Sequence, residues 1–328
     1  MTGASTDAAE AVRCLADARR ALVTSHMSPD GDALGSELAL AELAAAFGTD
    51  TVIVNRDPAP AGIAEMPGAE VVCVAPTTPE DFPKGFDLVV TLECPGLDRP
   101  GFDGLDALPI LNIDHHAAND RYGELNYLDE SAPAVGEMVL RMYRAAGVEP
   151  SAQAATAMYV ALSTDTGDFR YSNATPRAFL AAAELVEAGA RPEQVAEWVH
   201  QRRSAASVRL LGEALRTLQI TEDGRVASLS VDADAFARAQ ATPADTDGLI
   251  NVPRAITGVI VAAFFKQWEP GVVRISLRSR GAVDVRAIAA AYGGGGHSNA
   301  AGCTVPGELA AVRQEVLARL RTLLESGS

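Results

Sequence analysis

Residues 21–47 read ALVTSHMSPDGDALGSELALAELAAAF, and the fold class follows from the change of period inside this stretch. Ala21-Leu22-Val23-Thr24 is a short β-type apolar run, followed by a polar loop, Ser25-His26-Met27-Ser28-Pro29-Asp30-Gly31-Asp32. From 32 to 47 the apolar residues recur at helical spacing, and a second β-rich run occupies 51–55. Strand, helix, strand in that order implies a parallel sheet of the α/β class. Further β-rich runs at 70–74, 87–92 and 109–113 extend it, and helical patterns follow at 135–146, 152–163, 176–189 and 192–202.

Outward from this sheet, 328 residues exceed one comfortable core and fit two domains. A new β-rich region opens near Val226, with a hairpin pattern in which 256–265 and 272–279 are joined across Gln267-Trp268-Glu269-Pro270-Gly271. A helix at 284–291, the run Gly293-Gly294-Gly295-Gly296-His297 and a helix at 308–324 complete it. The expectation is a parallel-sheet domain over 1–195, a linker over 196–212 and a smaller α+β domain over 213–328, with a cleft between them.

Net charge is −16, which argues against a protein that neutralises the many phosphates of a long duplex. Small phosphorylated substrates remain compatible, since bound cations offset acidic charge and a few arginines suffice for a few phosphates. No apolar run reaches the ~20 residues of a membrane span and no basic-then-apolar leader is present, so a cytoplasmic protein is expected. Cys14, Cys73, Cys94 and Cys303 are far apart without a CxxC pair and read as reduced thiols, Cys94 as a small buried filler.

Three segments carry the chemistry. His26, Asp30 and Asp32 converge in a loop tightened by Pro29 and Gly31, although Asp30 and Asp32 also suit a helix N-cap. Asp114-His115-His116 follows the run Pro109–Ile113, and adjacent residues there point in different directions, one toward a metal and the other toward substrate. Asp165 sits among small residues in Leu162-Ser163-Thr164-Asp165-Thr166-Gly167 after the run Tyr159-Val160-Ala161-Leu162, with Asp168 a lesser candidate. Glu93, at the end of Leu88-Val89-Val90-Thr91-Leu92, could supply a shared carboxylate, whereas His200 on a helical stretch reads as structural. Imidazole and carboxylate without thiolate suit Mn²⁺ better than structural zinc. Two such ions ~3.5–4 Å apart activate water and neutralise phosphate charge, leaving His116 to bond a phosphoryl oxygen or assist the leaving group. The glycine run before His297 lets backbone N–H groups approach an anion, and Arg278 and Arg280 offer forked donors.

SHMSPDGDALGS at 25–36, NIDHH at 112–116, STDTGDF at 163–169 and RISLRSRG…AYGGGGHSNAAG at 274–302, in this order, resemble the DHH phosphoesterases with a DHH-associated C-terminal domain. Within them the chain is most similar to the nanoRNase and pAp phosphatase branch, over about 21–324. The resemblance implies a first Mn²⁺ on His26 and Asp30, a second on Asp32, His115 and Asp165, and Glu93 bridging both, where the family normally has Asp. It further implies His116 facing substrate, Asp114 orienting a histidine, and a C-terminal domain that closes over the cleft. There Arg278, Ser279, Gly294, Gly295, Gly296 and His297 would grip the nucleotide. The implied activity is hydrolysis of short oligoribonucleotides and linear dinucleotides such as pApA and pGpG to 5′-mononucleotides, and of pAp to AMP. Cyclic di-AMP hydrolysis and a non-catalytic nucleotide-binding role are the alternatives. A RecJ-type exonuclease fits less well in a short acidic chain, and a family II pyrophosphatase would carry Lys and Arg in place of GGGGH. A homodimer is compatible with this reading.

Overall fold

The computed structural model describes residues 4–201, 203–281 and 283–326. The chain divides into two units, Met1–Arg202 and Arg203–Ser328. Much of 196–212 is helical, within Pro192–His200 and Ala205–Leu215.

The first unit runs β1 (Ala4–Ser5), α1 (Ala8–Asp17), β2 (Arg20–Thr24), α2 (Gly31–Ala46), β3 (Asp50–Asn55), β4 (Cys73–Val74), β5 (Leu88–Leu92), β6 (Ile110–Asp114), β7 (Leu125–Leu128), α3 (Val135–Ala146), α4 (Ala152–Asp165), α5 (Pro176–Glu187) and α6 (Pro192–His200). Its strands form one parallel seven-stranded sheet in the order β1-β7-β6-β5-β2-β3-β4. From β2 the chain winds outward through β3 and β4, then restarts on the other side of β2 with β5, β6 and β7. The switch of direction therefore lies between β2 and β5, and ligand sites of open α/β sheets form beyond the carboxyl ends of strands at such a switch.

Every residue of β5 is buried, as suits a central strand covered on both faces. Helix α2 is buried around most of its circumference at its N-terminal half and packs on α4 and α3, which accounts for its lack of a simple apolar stripe. Gly31 permits this contact: a Cβ there would stand 2.5 Å from Thr164 Oγ1, so only glycine lets the start of α2 meet the end of α4.

One expectation for this unit is corrected. In the run at 70–74 only Cys73–Val74 is strand, because a 3₁₀ turn occupies Ala69–Val71. Tyr159–Leu162 belongs to α4, in line with the helical pattern over 152–163, and Asp165 is the last residue of that helix.

The second unit runs α7 (Ala205–Leu215), β8 (Gln219–Ile220), β9 (Val226–Val231), α8 (Ala233–Ala239), α9 (Asn251–Arg254), β10 (Val261–Glu269), β11 (Val272–Ser279), α10 (Arg286–Ala290), β12 (Gly295–His297), β13 (Ala300–Pro306) and α11 (Leu309–Ser326). The six-stranded sheet has the order β12-β13-β11-β10-β9-β8 and is antiparallel except for the β9/β10 pair. The expected hairpin is present, but its first strand begins at Val261, since 256–260 turn after α9.

Strand alternation sorts the faces. Val273, Ile275 and Leu277 join Val261, Ala263 and Phe265 in a core with Val316 and Leu320 of α11. On the opposite face Leu229, Val231, Ala262 and Phe264 pack with Leu210 and Phe236. There β11 presents Arg274, Ser276 and Arg278, with Lys266 of β10 donating to Ser276 Oγ at 3.0 Å.

Candidate metal centre

The loop after β2 begins with Ser25, whose N–H donates to Asn55 Oδ1 at 3.2 Å; Asn55 in turn donates to the fully buried Glu37 at 2.8 Å. His26 follows, half-buried, and its Nδ1 stands 2.8 Å from Met27 O, leaving Nε2 on the opposite edge of the ring. Asp30 caps α2, Oδ1 accepting from Asp32 N at 3.0 Å and Ala33 N at 3.1 Å.

Asp32 is buried and caps a different helix. Its Oδ2 accepts from Val135 N at 2.7 Å and its Oδ1 from Gly136 N at 2.9 Å and Ser36 Oγ at 2.9 Å. Helix α3 needs this, because Ala134 at its N-cap has no side-chain acceptor for the unpaired N–H groups of the first turn.

At the end of β6, Asp114 is fully buried. One oxygen accepts from His115 N at 2.9 Å and His116 Nδ1 at 2.8 Å, and the other from Asn119 Nδ2 at 2.6 Å. His116 is thereby held as the Nδ1–H tautomer, with Nε2 on the ring edge away from Asp114. The ring of His115 crosses it edge-on at 87° and donates Nδ1–H to Ala132 O at 3.0 Å, which directs Nε2 toward the carboxylates.

Glu93, just past β5, is 4% exposed and has a left-handed backbone with φ 60°. Its Oε1 lies 3.1 Å from His115 Nε2 and its Oε2 3.8 Å from His116 Nδ1. Asp165 Oδ2 lies 3.9 Å from the same His115 Nε2. Ligand atoms of Asp32, His115 and Asp165 thus fall within 4.8 Å of one another, as do those of Glu93, His115 and His116. The sequence-expected ligands Asp32, Glu93, His115 and Asp165 are brought together; His26 and Asp30 lie outside both groups.

This convergence leaves negative charge uncompensated. Burial, with Asp32 adding to it, pushes the Asp165 carboxyl up to about 7, and burial followed by Asp32 raises that of Glu93 well above the carboxylate range. Burial opposes a charge on His115, but Glu93, Asp32 and Asp165 outweigh it and push its pKa up to about 11. Glu93 Oε1 is also buried, and it faces His115 Nε2 at 3.1 Å without a well-formed hydrogen bond. Oxygen and imidazole donors around such a carboxylate oxygen fit a hard-to-borderline divalent cation.

The remaining candidates divide. Cys94 is buried, its thiol pKa raised by that burial, and its carbonyl accepts from Asn119 and Tyr122. Asp168 accepts from Ser163 Oγ and pairs with His200 at 2.8 Å, so both are structural. In the second unit Arg278 lies on the cationic face of β11. Ser279 is a correction: it is fully buried and its Oγ donates to Val283 O at 2.5 Å, so its hydroxyl holds a turn. Gly294 and Gly296 are needed for backbone approach to β13, a Cβ falling 2.2 Å from Gly302 O and 2.4 Å from Ala300 O, whereas Gly295 faces open space. His297 ends β12, and its side chain lies outside the described residues.

The sequence profile of the DHH family, N-terminal domain, matches residues 20–162, and that of the DHHA1 domain matches 223–326. A bifunctional oligoribonuclease and PAP phosphatase NrnA from Thermus thermophilus is 33% identical over 307 residues, covering 91% of this chain and 89% of the relative. The chain belongs to the DHH phosphoesterase family. It is accordingly an enzyme of the phosphodiesterase and phosphatase class.

The DHH fold extends to solved structures. An exopolyphosphatase-related protein from Bacteroides fragilis superposes with a TM-score of 0.86 at 23% identity, covering 97% of this chain and 96% of that one. RecJ from Thermus thermophilus, in complex with Mn²⁺, gives 0.53 at 15% identity, covering 95% of this chain and 54% of that one. Among the described residues of this DHH protein no helix is long and apolar enough to cross a membrane.

Several site residues of the DHH unit had no reading in the sequence. Asn119, Asn55, Ser36 and Asn173 all hold ligands or their neighbours. Asn173 had a local signal, lying just past STDTGDF, but Asn-Ala-Thr-Pro reads equally as turn chemistry before a helix.

Proposed function

We propose that this protein is a Mn²⁺-dependent hydrolase of short oligoribonucleotides and linear dinucleotides, releasing 5′-mononucleotides, and that it also removes the 3′-phosphate of pAp. The observation that carries the reading is the convergence of Asp32, Glu93, His115 and Asp165 around a buried carboxylate oxygen that has no well-formed hydrogen bond. The similarity to NrnA supports the substrate class.

Asp32, His115 and Asp165 would hold one ion, His26 and Asp30 a second, and Glu93 would bridge them. When bound, the ions supply Lewis acidity that brings an attacking water's pKa toward neutrality and offsets phosphate charge. The protein's part is to hold geometry and protons. His115 presents Nε2 because Ala132 O retains its Nδ1–H. Asp114 holds Nδ1–H of His116 and so turns Nε2 outward, where it accepts a proton and, once protonated, donates to a phosphoryl oxygen or to the departing oxygen; Asn119 secures Asp114 in turn.

On the second unit, Lys266, Arg274 and Arg278 share one sheet face around Ser276. Burial, then Arg278 and Arg274, lower the pKa of Lys266, so this face favours an anion. It is the surface we assign to the nucleotide's phosphates, with Gly295 and His297 at its β12 edge. Arg274 also stacks on Trp268 with its guanidinium 4.2 Å from the ring centre.

The deciding assay follows mononucleotide and phosphate release from pApA, pAp and cyclic di-AMP, side by side, after metal is stripped with chelator and Mn²⁺ restored. Turnover of pApA and pAp is expected. Hydrolysis confined to cyclic di-AMP would move the substrate class, and Mn²⁺ binding without any turnover would favour a nucleotide-binding role.

A further inference from the structure

Asn173 lies between α4 and α5 and gathers three oxygens with one amide nitrogen. Its Nδ2 donates to Asp165 Oδ2 at 3.1 Å, and also stands 3.2 Å from Asp165 O and 3.1 Å from Pro133 O. Pro133 belongs to the segment 129–136, which runs from the end of β7 into the first turn of α3, and that same segment reaches the other two members of the cluster. Ala132 O receives Nδ1–H of His115 at 3.0 Å, while Val135 N and Gly136 N donate to the Asp32 carboxylate at 2.7 and 2.9 Å. The near end of the segment is clamped by Asp129, paired with Arg141 at 2.6 Å and Arg177 at 2.9 Å.

We propose that Asn173 is a positioning residue that fastens Asp165 to this segment, so that three ligands from three separate elements share one backbone reference. The inference rests on the reading of Asp165 as a metal ligand. Asp165 has particular need of such a tether. It is the last residue of α4, its side chain is 31% exposed, and it sits at the negative end of a helix dipole, which favours its swinging out to water. A neutral amide suits the task. Lysine or arginine in its place would hold Asp165 equally well but would compete electrostatically with the cation.

The test uses the full chain, stripped with chelator, and titrates Mn²⁺ calorimetrically against the parent, Asn173→Ala and Asn173→Ser. Thermal unfolding of the metal-free proteins and steady-state kinetics at low and saturating Mn²⁺ accompany it. Loss of such an outer hydrogen bond to a ligand is expected to weaken Mn²⁺ binding by about 10- to 100-fold. Metal-free unfolding should be nearly unchanged, kcat should recover as Mn²⁺ is raised, and KM for the nucleotide should stay constant, none of which a merely structural role produces. Unchanged Mn²⁺ affinity in a folded variant overturns the proposal. If Asn173→Ala fails to fold without metal, Asn173→Ser, which keeps one donor, is judged by the same affinity. A parent protein that binds Mn²⁺ tightly yet hydrolyses nothing would sink the proposed function and leave the positioning role standing.

Discussion

Glu93 combines three features that bear on one another: a left-handed backbone, near-complete burial and a carboxylate oxygen without a well-formed hydrogen bond. A glutamate in the left-handed region is uncommon and costs on the order of 1 kcal/mol, whereas aspartate populates it more readily. Glu93→Asp should therefore be tolerated by the backbone, and shortening the side chain draws its oxygens back by ~1 Å, a displacement that can matter 100-fold in rate. We expect Mn²⁺-dependent turnover of pApA to be preserved or raised. A large loss in initial-rate measurements would mean that the neighbouring residues are arranged around the longer side chain. His116 and Asp165 separate by readout. His116→Ala should cut kcat by about 10²- to 10⁴-fold with Mn²⁺ affinity retained, as befits a group that handles protons, while Asp165→Ala should lose the ion as well. Calorimetry beside kinetics distinguishes them. These residues were legible in the sequence because histidine and carboxylate side chains recur at the ends of several apolar runs, a pattern that isolated caps or surface charges do not produce. Asn119 and Asn173 were not, since an amide that supports a ligand looks like any turn residue until the chain is folded.

At the scale of the element, the loop 25–32 makes two helix termini depend on the candidate site. Asp30 caps its own helix α2, whereas Asp32 caps α3 across the fold, 103 residues away in sequence. Removing the first acceptor should cost about 1 kcal/mol, the ordinary value of an N-cap. Asp32→Ala should cost more, roughly 2–4 kcal/mol, because it strands two buried N–H groups and the Ser36 hydroxyl. Urea unfolding of the metal-free proteins compares the two, and equal losses would show that α3 does not rely on Asp32. The β2–α2–β3 order was readable because its period changes within 27 residues, from 21 to 47. The helix before Asp165 was legible as a helical pattern over 152–163, although α4, buried along most of its length, shows no polar face. The two-residue strand β1 carries too little pattern to be read at all, and β4 was read only as the end of a longer run at 70–74.

For the whole molecule, the proposed ion and the protons it displaces make stability depend on pH with a sign that can be worked out. In the metal-free protein the His115 pKa is raised from 6.5 to about 11, so its contribution is complete below about 6.5 and is lost as pH rises toward 11. Asp165 is raised from 3.8 to about 7, and a carboxyl raised on folding likewise favours the native state at low pH and penalises it as pH climbs through that range. Glu93 shifts in the same direction. All three groups bind more protons in the native than in the unfolded state, so the metal-free protein should lose stability as pH rises from about 4 upward. Mn²⁺ held at the proposed site should reverse the trend, because a metal ion binds deprotonated ligands and releases those protons. Its stabilisation, which grows by roughly 2.7 kcal/mol when free metal reaches 100 times Kd, should therefore be larger at about pH 8 than at about pH 6. Thermal unfolding with and without Mn²⁺ at both values measures the difference, and titrations in two buffers of unlike ionisation enthalpy count the released protons. The cluster ligands all lie in Met1–Arg202, so the effect should persist in variants of the cationic sheet face such as Arg274→Ala. Stabilisation that shrinks with rising pH would mean that Mn²⁺ binds elsewhere than at Asp32, His115 and Asp165.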